Sequence, residues 1–430
     1  MHPYSLIVSL LLLFQVTHAQ QWAEKQKLVA ADREEKAHFG SDVAISGNYA
    51  IVAAFKEDKN VIGEEPLKDA GAAYILERNA NGKWTQVQKL TPDERKGKGI
   101  ADYRDEVAID GNAAAVFMGS TRMVYYYQRQ KDGAWKEQQQ VGLTNEDEKL
   151  TGPMVLDKTH LVVVGESKVH GPNQTVIFVF EKNTQKAWEL KQRIISVVEQ
   201  PLSRFGERIA LSEGRLLVSA YEMTMEDNDG NELERSGAAF VFEKQKDGRW
   251  KEAQMLVSDD LGARDFFGYS VALSGNYAVV GAWLEDEDEM GANKVGQAGA
   301  AYVFERTEEG KWKQVQKLVE PKRIASNCFG FSVAIHKTQL AISSYDLDSD
   351  NSKLGGAGAV YVFERAKDGK WTKLDKLMAS DKNRRDDFGG TLAMDKQSLI
   401  TGAIFEDEDV DDLNTIDSAG SVYIFEYNTK

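Results

Sequence analysis

The residues best suited to chemistry are acidic side chains at alternating positions. Asp346, Asp348 and Asp350 are separated by single residues, and Asp227 and Asp229 repeat that spacing in a second segment. Carboxylates spaced in this way can converge on one hard cation from a looped backbone, so these five residues are candidate calcium ligands. Neither segment completes the EF-hand pattern, and a solvated acidic surface that keeps the protein soluble is the competing interpretation.

Aromatic residues stand just before several acidic runs, as Trp283 does before the run from Glu285 to Glu289. Aromatic faces beside carboxylates suit carbohydrate, because rings stack on sugars while carboxylates accept hydrogen bonds from hydroxyls. The predicted ligand-binding residues are Trp283, Tyr221, Tyr345, Phe55, Glu285, Asp286 and Asp288. The alternative is that rings repeated at one register form a structural layer under the loops.

Catalytic patterns are scarce. No HExxH or GxSxG motif occurs, and beyond the N-terminal segment the histidines are scattered at positions 38, 160, 170 and 336. Carboxylates are too numerous for a glycosidase pair to be singled out. These observations favour a protein that is not an enzyme, with a carbohydrate-active enzyme as the alternative.

The N-terminal segment is typical of a signal peptide. Leu6 to Val16 form a short apolar run, and Thr17-His18-Ala19 supplies the small residues of a cleavage site. The run is too short to span a bilayer, so we expect removal of residues 1–19, no transmembrane segment and a secreted protein, extracellular or periplasmic. Asn173 lies in an N-glycosylation sequon, which matters only if the source glycosylates exported proteins. Cys328 is the single cysteine, so internal disulfides are excluded.

The charge balance argues against nucleic acid as a partner. The chain has 53 basic and 68 acidic residues, a net charge of −15. A surface of this sign repels phosphate backbones and leaves room for divalent cations.

Tryptophans mark an internal repeat of roughly 50 to 62 residues, a period typical of propellers or solenoids. They are Trp22, Trp84, Trp135, Trp188, Trp250, Trp312 and Trp371. Each unit contains four short runs rich in Val, Ile, Tyr and Phe, separated by turn residues, which predicts antiparallel strands a to d. The sequence therefore predicts an all-β fold, a seven-bladed β-propeller of four-stranded antiparallel blades in one domain over residues 20–430. The repeats cover approximately 21–85, 86–136, 137–189, 190–251, 252–313, 314–372 and 373–430.

The two ends of the chain predict how the ring closes. The last unit stops at SVYIFEYNTK, which corresponds to strand c, whereas the segment QWAEKQKL after the leader resembles a strand d without a preceding a, b and c. We expect Trp22 to Leu28 to complete the last blade. In this order the short a–b and c–d turns share one rim, and the long acidic b–c and d–a loops share the other, where we expect the ligand.

A recurring Phe-Gly at the start of strand a, followed by Gly-Ala-aromatic at the end of strand b, resembles the FG-GAP repeat of integrin α-subunit propellers. Phe267-Gly268 and Gly281-Ala282-Trp283 carry it in the fifth unit, and the phrases SGNYAxVGA and GAAYVFER resemble secreted bacterial FG-GAP repeat proteins more closely. The resemblance implies a propeller used for adhesion or ligand binding. The a–b turn Ser274-Gly275-Asn276 is too short for the integrin calcium loop, so that metal site is not carried over.

The sequence thus favours an exported, non-catalytic binding or adhesion module that engages an extracellular protein or glycan through its acidic loop rim. A glycosidase or lyase that uses loop carboxylates is one alternative, and a structural surface or matrix component is another. Calcium is the only cofactor that the residues suggest, and the oligomeric state is left open.

Overall fold

The computed structural model describes residues 21–58, 71–91, 106–169, 174–195, 200, 203–344, 356–381, 383, 386–411 and 413–428. Within these ranges the regular structure is all β, and it forms seven four-stranded antiparallel sheets, the blades, plus one two-stranded hairpin. The described ranges include no helix that could cross a membrane. The predicted all-β, seven-bladed propeller is confirmed.

In every blade strand a is the innermost strand and strand d the outermost. Blade 1 contains β2 (Phe39–Ser46), β3 (Tyr49–Ala54), β4 (Ala72–Arg78) and β5 (Trp84–Leu90). Blade 2 contains β6 (Glu106–Asp110), β7 (Ala113–Met118), β8 (Met123–Arg129) and β9 (Trp135–Val141). Blade 3 contains β10 (Glu148–Leu156), β11 (His160–Ser167), β12 (Gln174–Lys182) and β13 (Trp188–Ile195).

Blade 4 contains β14 (Phe205–Ser212), β15 (Arg215–Ala220), β18 (Ala238–Lys244) and β19 (Trp250–Leu256), and its b–c loop carries the hairpin β16 (Met225–Glu226) and β17 (Glu232–Leu233). Blade 5 contains β20 (Ser270–Ser274), β21 (Tyr277–Ala282), β22 (Ala300–Arg306) and β23 (Trp312–Leu318). Blade 6 contains β24 (Val333–His336), β25 (Gln339–Ser344), β26 (Ala359–Arg365) and β27 (Trp371–Leu377). Blade 7 contains β28 (Thr391–Met394), β29 (Ser398–Ala403), β30 (Ser421–Tyr427) and β1 (Trp22–Leu28).

The N-terminal strand closes the ring, as the chain ends predict. β1 pairs antiparallel with β30, so that Trp22 lies opposite Tyr427 and Leu28 opposite Val422. The last blade therefore combines strands from both ends of the chain, and β1 covers the edge that β30 would otherwise expose.

The hydrophobic core is divided among the seams between blades rather than concentrated in one cluster. At the seam of blades 4 and 5, for example, Phe267 is fully buried and packs edge-on against Tyr302, whose ring centroid lies 5.4 Å away. Gly268, next in the chain, has φ of +98°, and a Cβ there would lie 2.6 Å from the Ala238 carbonyl oxygen. The Phe-Gly pair thus combines a buried anchor with a backbone approach that only glycine permits.

Six of the seven seams also share a hydrogen bond motif on the outermost strands. Gln88 is typical: its amide nitrogen donates to the Trp135 carbonyl at 2.7 Å, and its amide oxygen accepts the Trp135 backbone N–H at 2.8 Å. The glutamine stands four residues after the tryptophan of its own blade, so the pattern Trp-x-x-x-Gln encodes both sides of the contact. The same bonds are made by Gln26, Gln139, Gln192, Gln254 and Gln316.

Candidate functional site

The innermost strands surround a central cavity of about 630 Å³, a size that suits a small ligand. In blades 5 to 7 the lining comes from the start of the innermost strand and the residues just before it, whereas blade 3 contributes Pro153 to Leu156 from the end of its innermost strand. Both carboxylates and aromatic rings contribute, including Asp42, Glu106, Tyr269, Phe331 and Asp387.

At one level along the channel axis, defined by equivalent positions of the innermost strands, six of the seven blades place a polar side chain. The position is the second after Phe-Gly in five blades, and strand pairing places Glu106 at the same level in blade 2. The set is Asp42, Glu106, Arg208, Ser270, Ser332 and Thr391, in blades 1, 2, 4, 5, 6 and 7. The channel wall is therefore acidic at blades 1 and 2, basic at blade 4 and hydroxylic from blade 5 to blade 7.

Several members of this level also connect neighbouring blades. The Asp42 carboxylate accepts the backbone N–H of Val107 in blade 2 at 2.8 Å. The Thr391 hydroxyl donates to the Gly40 carbonyl of blade 1 at 2.9 Å. Their polarity thus has a structural use, independent of any ligand.

The acidic wall holds a proton tightly. Burial, followed by the negative charge of Glu106, raises the pKa of Asp42 well above its ordinary range. A hydrogen bond between the two carboxyl groups contributes in the same direction, so Asp42 keeps its proton to a higher pH than an ordinary aspartate does. Asp387 lines the same cavity just before blade 7, and burial raises its pKa to about 6.

Aromatic rings form a continuous patch at the mouth of the channel over blades 4 to 6. Trp283 stacks on Tyr269 with ring centroids 4.8 Å apart, and Tyr269 contacts both Tyr221 and Phe331 at 5.3 Å. Phe266 bridges Tyr221 and Trp283 at 6.2 and 6.3 Å. All five side chains are half-buried. The patch brings the predicted residues Tyr221 and Trp283 together, but the rings that line the cavity itself are Tyr269 and Phe331.

Phe55, the remaining described member of the predicted aromatic set, lies apart from that patch. It lines the channel from blade 1, where the His38 ring packs edge-on between Phe55 and Phe405. Tyr345 lies outside the described residues.

The residue before each of five Phe-Gly pairs adopts a left-handed backbone. Its φ lies between 54° and 62°, although none of these residues is glycine, and such positions store strain that often accompanies function. They are His38, Arg204, Phe266, Cys328 and Asp387. Phe266 joins the aromatic patch and Asp387 lines the cavity, so this bend helps to place side chains at the mouth.

Glu285, predicted as a ligand-binding residue, is instead buried in a polar cluster. Its carboxylate accepts a hydrogen bond from Tyr302 Oη at 2.8 Å and lies 3.3 Å from Lys317 Nζ, which also pairs with Asp260 at 2.7 Å. Burial, and then the charge of Glu285, raises the pKa of Asp265 to about 8. The same arrangement recurs in blades 1 and 7, around Lys89 with Tyr74, Glu57 and Asp32, and around Lys27 with Tyr423, Glu406 and Asp381.

Carboxylate oxygens of Asp260, Glu285 and Glu287 lie within 4.8 Å of one another, a spacing that could hold a metal ion. The Lys317 ammonium already lies against Asp260 and Glu285 and supplies the positive charge that a cation would bring. The cluster therefore has an internal counterion, and its donors do not fit a divalent ion without displacement of the lysine.

Asp286 and Asp288 stabilise the loop that contains them by accepting hydrogen bonds from its backbone. Asp286 accepts the Gln297 backbone N–H at 2.6 Å, and Asp288 accepts those of Met290 and Ala292 at 2.9 and 3.0 Å. Backbone hydrogen bonding by Ala292, with the side chain of Asn293, lowers the pKa of Asp288. The Arg323 guanidinium fastens this loop by donating to the carbonyls of Asp286 and Asn293. In blade 7, Asp407, Asp409 and Arg33 repeat this construction.

The candidate calcium ligands Asp227 and Asp229 lie in the turn of the β16–β17 hairpin. Asp227 accepts the backbone N–H groups of Asp229 and Asn231 at 2.9 and 2.8 Å, which closes the turn. Its side-chain hydrogen bond from Asn231, followed by the backbone bond, lowers its pKa. Asp346, Asp348, Asp350 and the sequon residue Asn173 lie outside the described residues. The calcium hypothesis stays a prediction.

Sequence reasoning missed the residues that line the channel, chiefly Arg208, Tyr269, Phe331 and the pair Asp42–Glu106. The sequence contains a pattern that could have identified them. The two positions after Phe-Gly vary from unit to unit, and include polar and aromatic residues, while the flanking strand pattern is constant. A propeller that is recognised from its repeat predicts that these positions face the axis.

Comparison with known proteins agrees with this architecture. A family model described as the FG-GAP repeat matches residues 22–76, 250–304, 312–363 and 371–425, just over half of the chain. No curated protein matches the sequence.

Similar solved structures share the fold at low sequence identity. A Bacteroides uniformis protein provisionally assigned as a 6-phosphogluconolactonase aligns with a TM-score of 0.50 and 14% identity, over 79% of this chain and 85% of that chain. A Lactobacillus plantarum protein aligns with a TM-score of 0.48 and 11% identity, over 87% and 99% of the two chains. The periplasmic gluconolactonase of Pseudomonas aeruginosa aligns with a TM-score of 0.45 and 14% identity, over 78% and 84%. At these identities the similarity shows the fold alone.

Proposed function

Because this chain belongs to the FG-GAP repeat family, we propose that it is an exported, non-catalytic protein that binds an extracellular glycan at the mouth of its propeller channel. The aromatic patch beside the polar channel level is the observation that carries the proposal. Tyr269 and Phe331 offer half-buried ring surfaces to the cavity, Ser270 and Ser332 follow them directly in the sequence, and Thr391 lies at the same level in blade 7. Sugar binding uses this combination of stacking and hydroxyl-directed hydrogen bonds.

The acidic rim has a supporting part in this proposal. The loops that contain Asp288 and Asp409 are internally hydrogen bonded and clamped by Arg323 and Arg33, so they form stiff walls around the mouth. A stiff site loses less conformational entropy when it binds a ligand.

The experiment is a glycan array probed with the chain from Gln20 to Lys430, followed by calorimetric titration of the glycans that bind. Tyr269→Ala should weaken binding by about tenfold, as expected for one lost stacking face. Tyr277→Ala, in the same blade but at the opposite rim, is the matched control and should bind normally. Equal binding by both variants, with intact melting curves, would refute the channel-mouth site.

A carbohydrate-active enzyme is the second candidate, and the Asp42–Glu106 pair is the observation that favours it. Burial and the charge of Glu106 raise the pKa of Asp42 well above its ordinary range, and a carboxyl group with a raised pKa is suited to act as a general acid. Product analysis of each bound glycan after prolonged incubation separates the two functions. Recovery of intact glycan supports binding, whereas shortened chains that disappear with Asp42→Asn would establish catalysis.

A further inference from the structure

Arg208 differs from the other polar side chains of its channel level. Asp42, Ser270 and Thr391 each reach the backbone of the next blade. The Arg208 guanidinium instead donates to the carbonyl of its own neighbour, Glu207, at 2.8 Å. Within the described ranges, no carboxylate forms an ion pair with it.

Several arginines at the opposite rim are paired with acids. At the opposite rim, Arg78 pairs with Glu426 of the preceding blade at 2.6 Å, and Arg306 pairs with Glu243 of its preceding blade at 2.9 Å. The guanidinium groups of Arg33 and Arg323 each fasten a loop by donating to two backbone carbonyls, whereas that of Arg208 donates to a single carbonyl and lines the channel.

The surroundings of Arg208 orient its guanidinium. The group lies 6.0 Å from the centroid of the Tyr269 ring, which also stacks on Trp283 with ring centroids 4.8 Å apart. Cation–π contact with a supported ring restrains the guanidinium while its N–H donors remain available. Serine and threonine hydroxyls of blades 5 to 7 follow at the same level of the channel.

We infer that Arg208 binds a carboxylate of the ligand, and that the glycan is therefore acidic, built from or ending in a uronic acid. A guanidinium matches a carboxylate with two parallel hydrogen bonds, while the adjacent Tyr269 ring contacts the sugar face. The acidic wall at Asp42 and Glu106 repels this charge less than two ordinary carboxylates would, because burial and Glu106 raise the pKa of Asp42. The inference rests on the proposed glycan-binding function and adds the chemical class of the ligand.

The test compares oligogalacturonate with a neutral galactose oligosaccharide of equal length, by calorimetric titration at low ionic strength. Arg208→Gln should weaken binding of the acidic oligosaccharide about tenfold or more. The affinity of Arg208→Lys should lie between those of the wild type and Arg208→Gln, because lysine keeps the charge but loses the bidentate geometry. Arg249→Gln is the matched control, since Arg249 is exposed in the c–d turn of the same blade at the other rim. Melting curves of all variants establish that they are folded.

The outcomes separate the two levels of the proposal. Tighter binding of the acidic oligosaccharide, lost selectively in Arg208→Gln, supports the inference. Equal binding of acidic and neutral oligosaccharides, unaffected by Arg208→Gln, overturns the inference and leaves glycan binding intact. Absence of binding to either oligosaccharide and to the array overturns both. Free galacturonate is a third ligand. Binding of this monosaccharide that is weakened by Arg208→Gln would support the carboxylate contact and show that a single sugar acid is sufficient.

Discussion

The Asp375 carboxylate accepts the backbone N–H of Trp22 at 2.9 Å, across the seam where the N-terminal strand enters the last blade. The other six seams place glutamine at this position, where it both donates and accepts. Aspartate can only accept, and here it takes a second backbone N–H, from Gln21, at 3.1 Å. The N-terminal strand that closes the ring is therefore anchored to the preceding blade by an acid that binds the first two described residues of the chain.

Asp375→Ala should loosen the N-terminal strand selectively. The change leaves two backbone donors without their acceptor, which costs about 1–3 kcal/mol. Hydrogen exchange by mass spectrometry should show faster exchange of amides in Trp22–Leu28. Gln316→Ala is the control at the preceding seam, where it should destabilise the protein without a local effect on Trp22–Leu28. Identical exchange of that strand in both variants would contradict a special role for Asp375.

Most of the fold could be predicted from the sequence because repetition multiplies a weak signal. One Phe-Gly or one Trp-x-x-x-Gln is uninformative, but their recurrence fixes the period, the strand register and the closure by Trp22 to Leu28. The b–c hairpin of blade 4 was not predicted, since Met225–Glu226 and Glu232–Leu233 are too short to show alternation.

The candidate site was predicted only in part, because residue type does not reveal which way a side chain is turned. Trp283 was identified from its size, yet it supports Tyr269 from behind, and Tyr269 lines the cavity. Glu285 was identified from an acidic run, but it is buried beside Lys317, a partner 32 positions along the chain. The left-handed turn at Phe266 has no sequence signature, since glycine or asparagine would be expected there.

Blade 4 indicates how the buried cluster of blade 5 could be replaced. At the positions of Glu285, Tyr302 and Lys317, blade 4 has Met223, Phe240 and Met255, as its strand pairing and loop hydrogen bonds show. Lys317→Met alone should destabilise the protein by about 3–5 kcal/mol, because it leaves buried carboxylates uncompensated.

The combined variant Asp260→Val, Glu285→Met, Tyr302→Phe, Lys317→Met should recover most of that loss, since a well-packed apolar set can replace a buried ion cluster. Chemical denaturation of the single and combined variants measures the difference in unfolding free energy. A combined variant less stable than Lys317→Met would show that the cluster has no apolar equivalent in this blade.

Asp265 should make stability depend on pH in a defined direction. Its pKa in the folded protein, raised to about 8 by burial and then by Glu285, exceeds the ordinary value for aspartate. The folded state therefore holds the proton more tightly than the unfolded state, so this contribution is full below about pH 4 and is lost as the pH rises towards 8. Asp265→Asn cannot ionise and should melt at a higher temperature than the wild type at pH 8.

The difference between Asp265→Asn and wild type should disappear near pH 4. Blade 6 offers a precedent, because Asn327 occupies this position and donates to buried Glu320. Asp259→Asn, an exposed change in the same loop, is the control and should follow the wild-type melting profile. A constant difference from pH 4 to pH 8 would exclude Asp265 as the titrating group.

The two stacked rings of the channel mouth should contribute unequally to binding. Tyr269→Ala removes the ring that lines the cavity, whereas Trp283→Ala removes only the ring behind it. Trp283→Ala should therefore weaken glycan binding less than Tyr269→Ala, and Trp283→Phe should restore most of the affinity by keeping the support. Tryptophan fluorescence that shifts on titration of the wild type, and no longer does so in Tyr269→Ala, would report this coupling. A larger loss in Trp283→Ala than in Tyr269→Ala would reverse the assignment.

Binding of an acidic glycan should weaken as the pH rises through the titration of the channel carboxyls. Burial raises the pKa of Asp387, which lines the cavity, to about 6, so its charge appears between about pH 5 and 7. Burial, and then the charge of Glu106, also raise the pKa of Asp42 well above its ordinary range, so rising pH adds negative charge at this wall as well. Each new negative charge opposes a bound carboxylate, whereas a neutral oligosaccharide has no charge to repel. Calorimetric titration of oligogalacturonate at pH 5 and pH 7.5 should show the loss of affinity, and Asp387→Asn should reduce it. Affinity that is independent of pH in the wild type, or unchanged pH dependence in Asp387→Asn, would show that the charge of Asp387 does not affect binding of the acidic glycan.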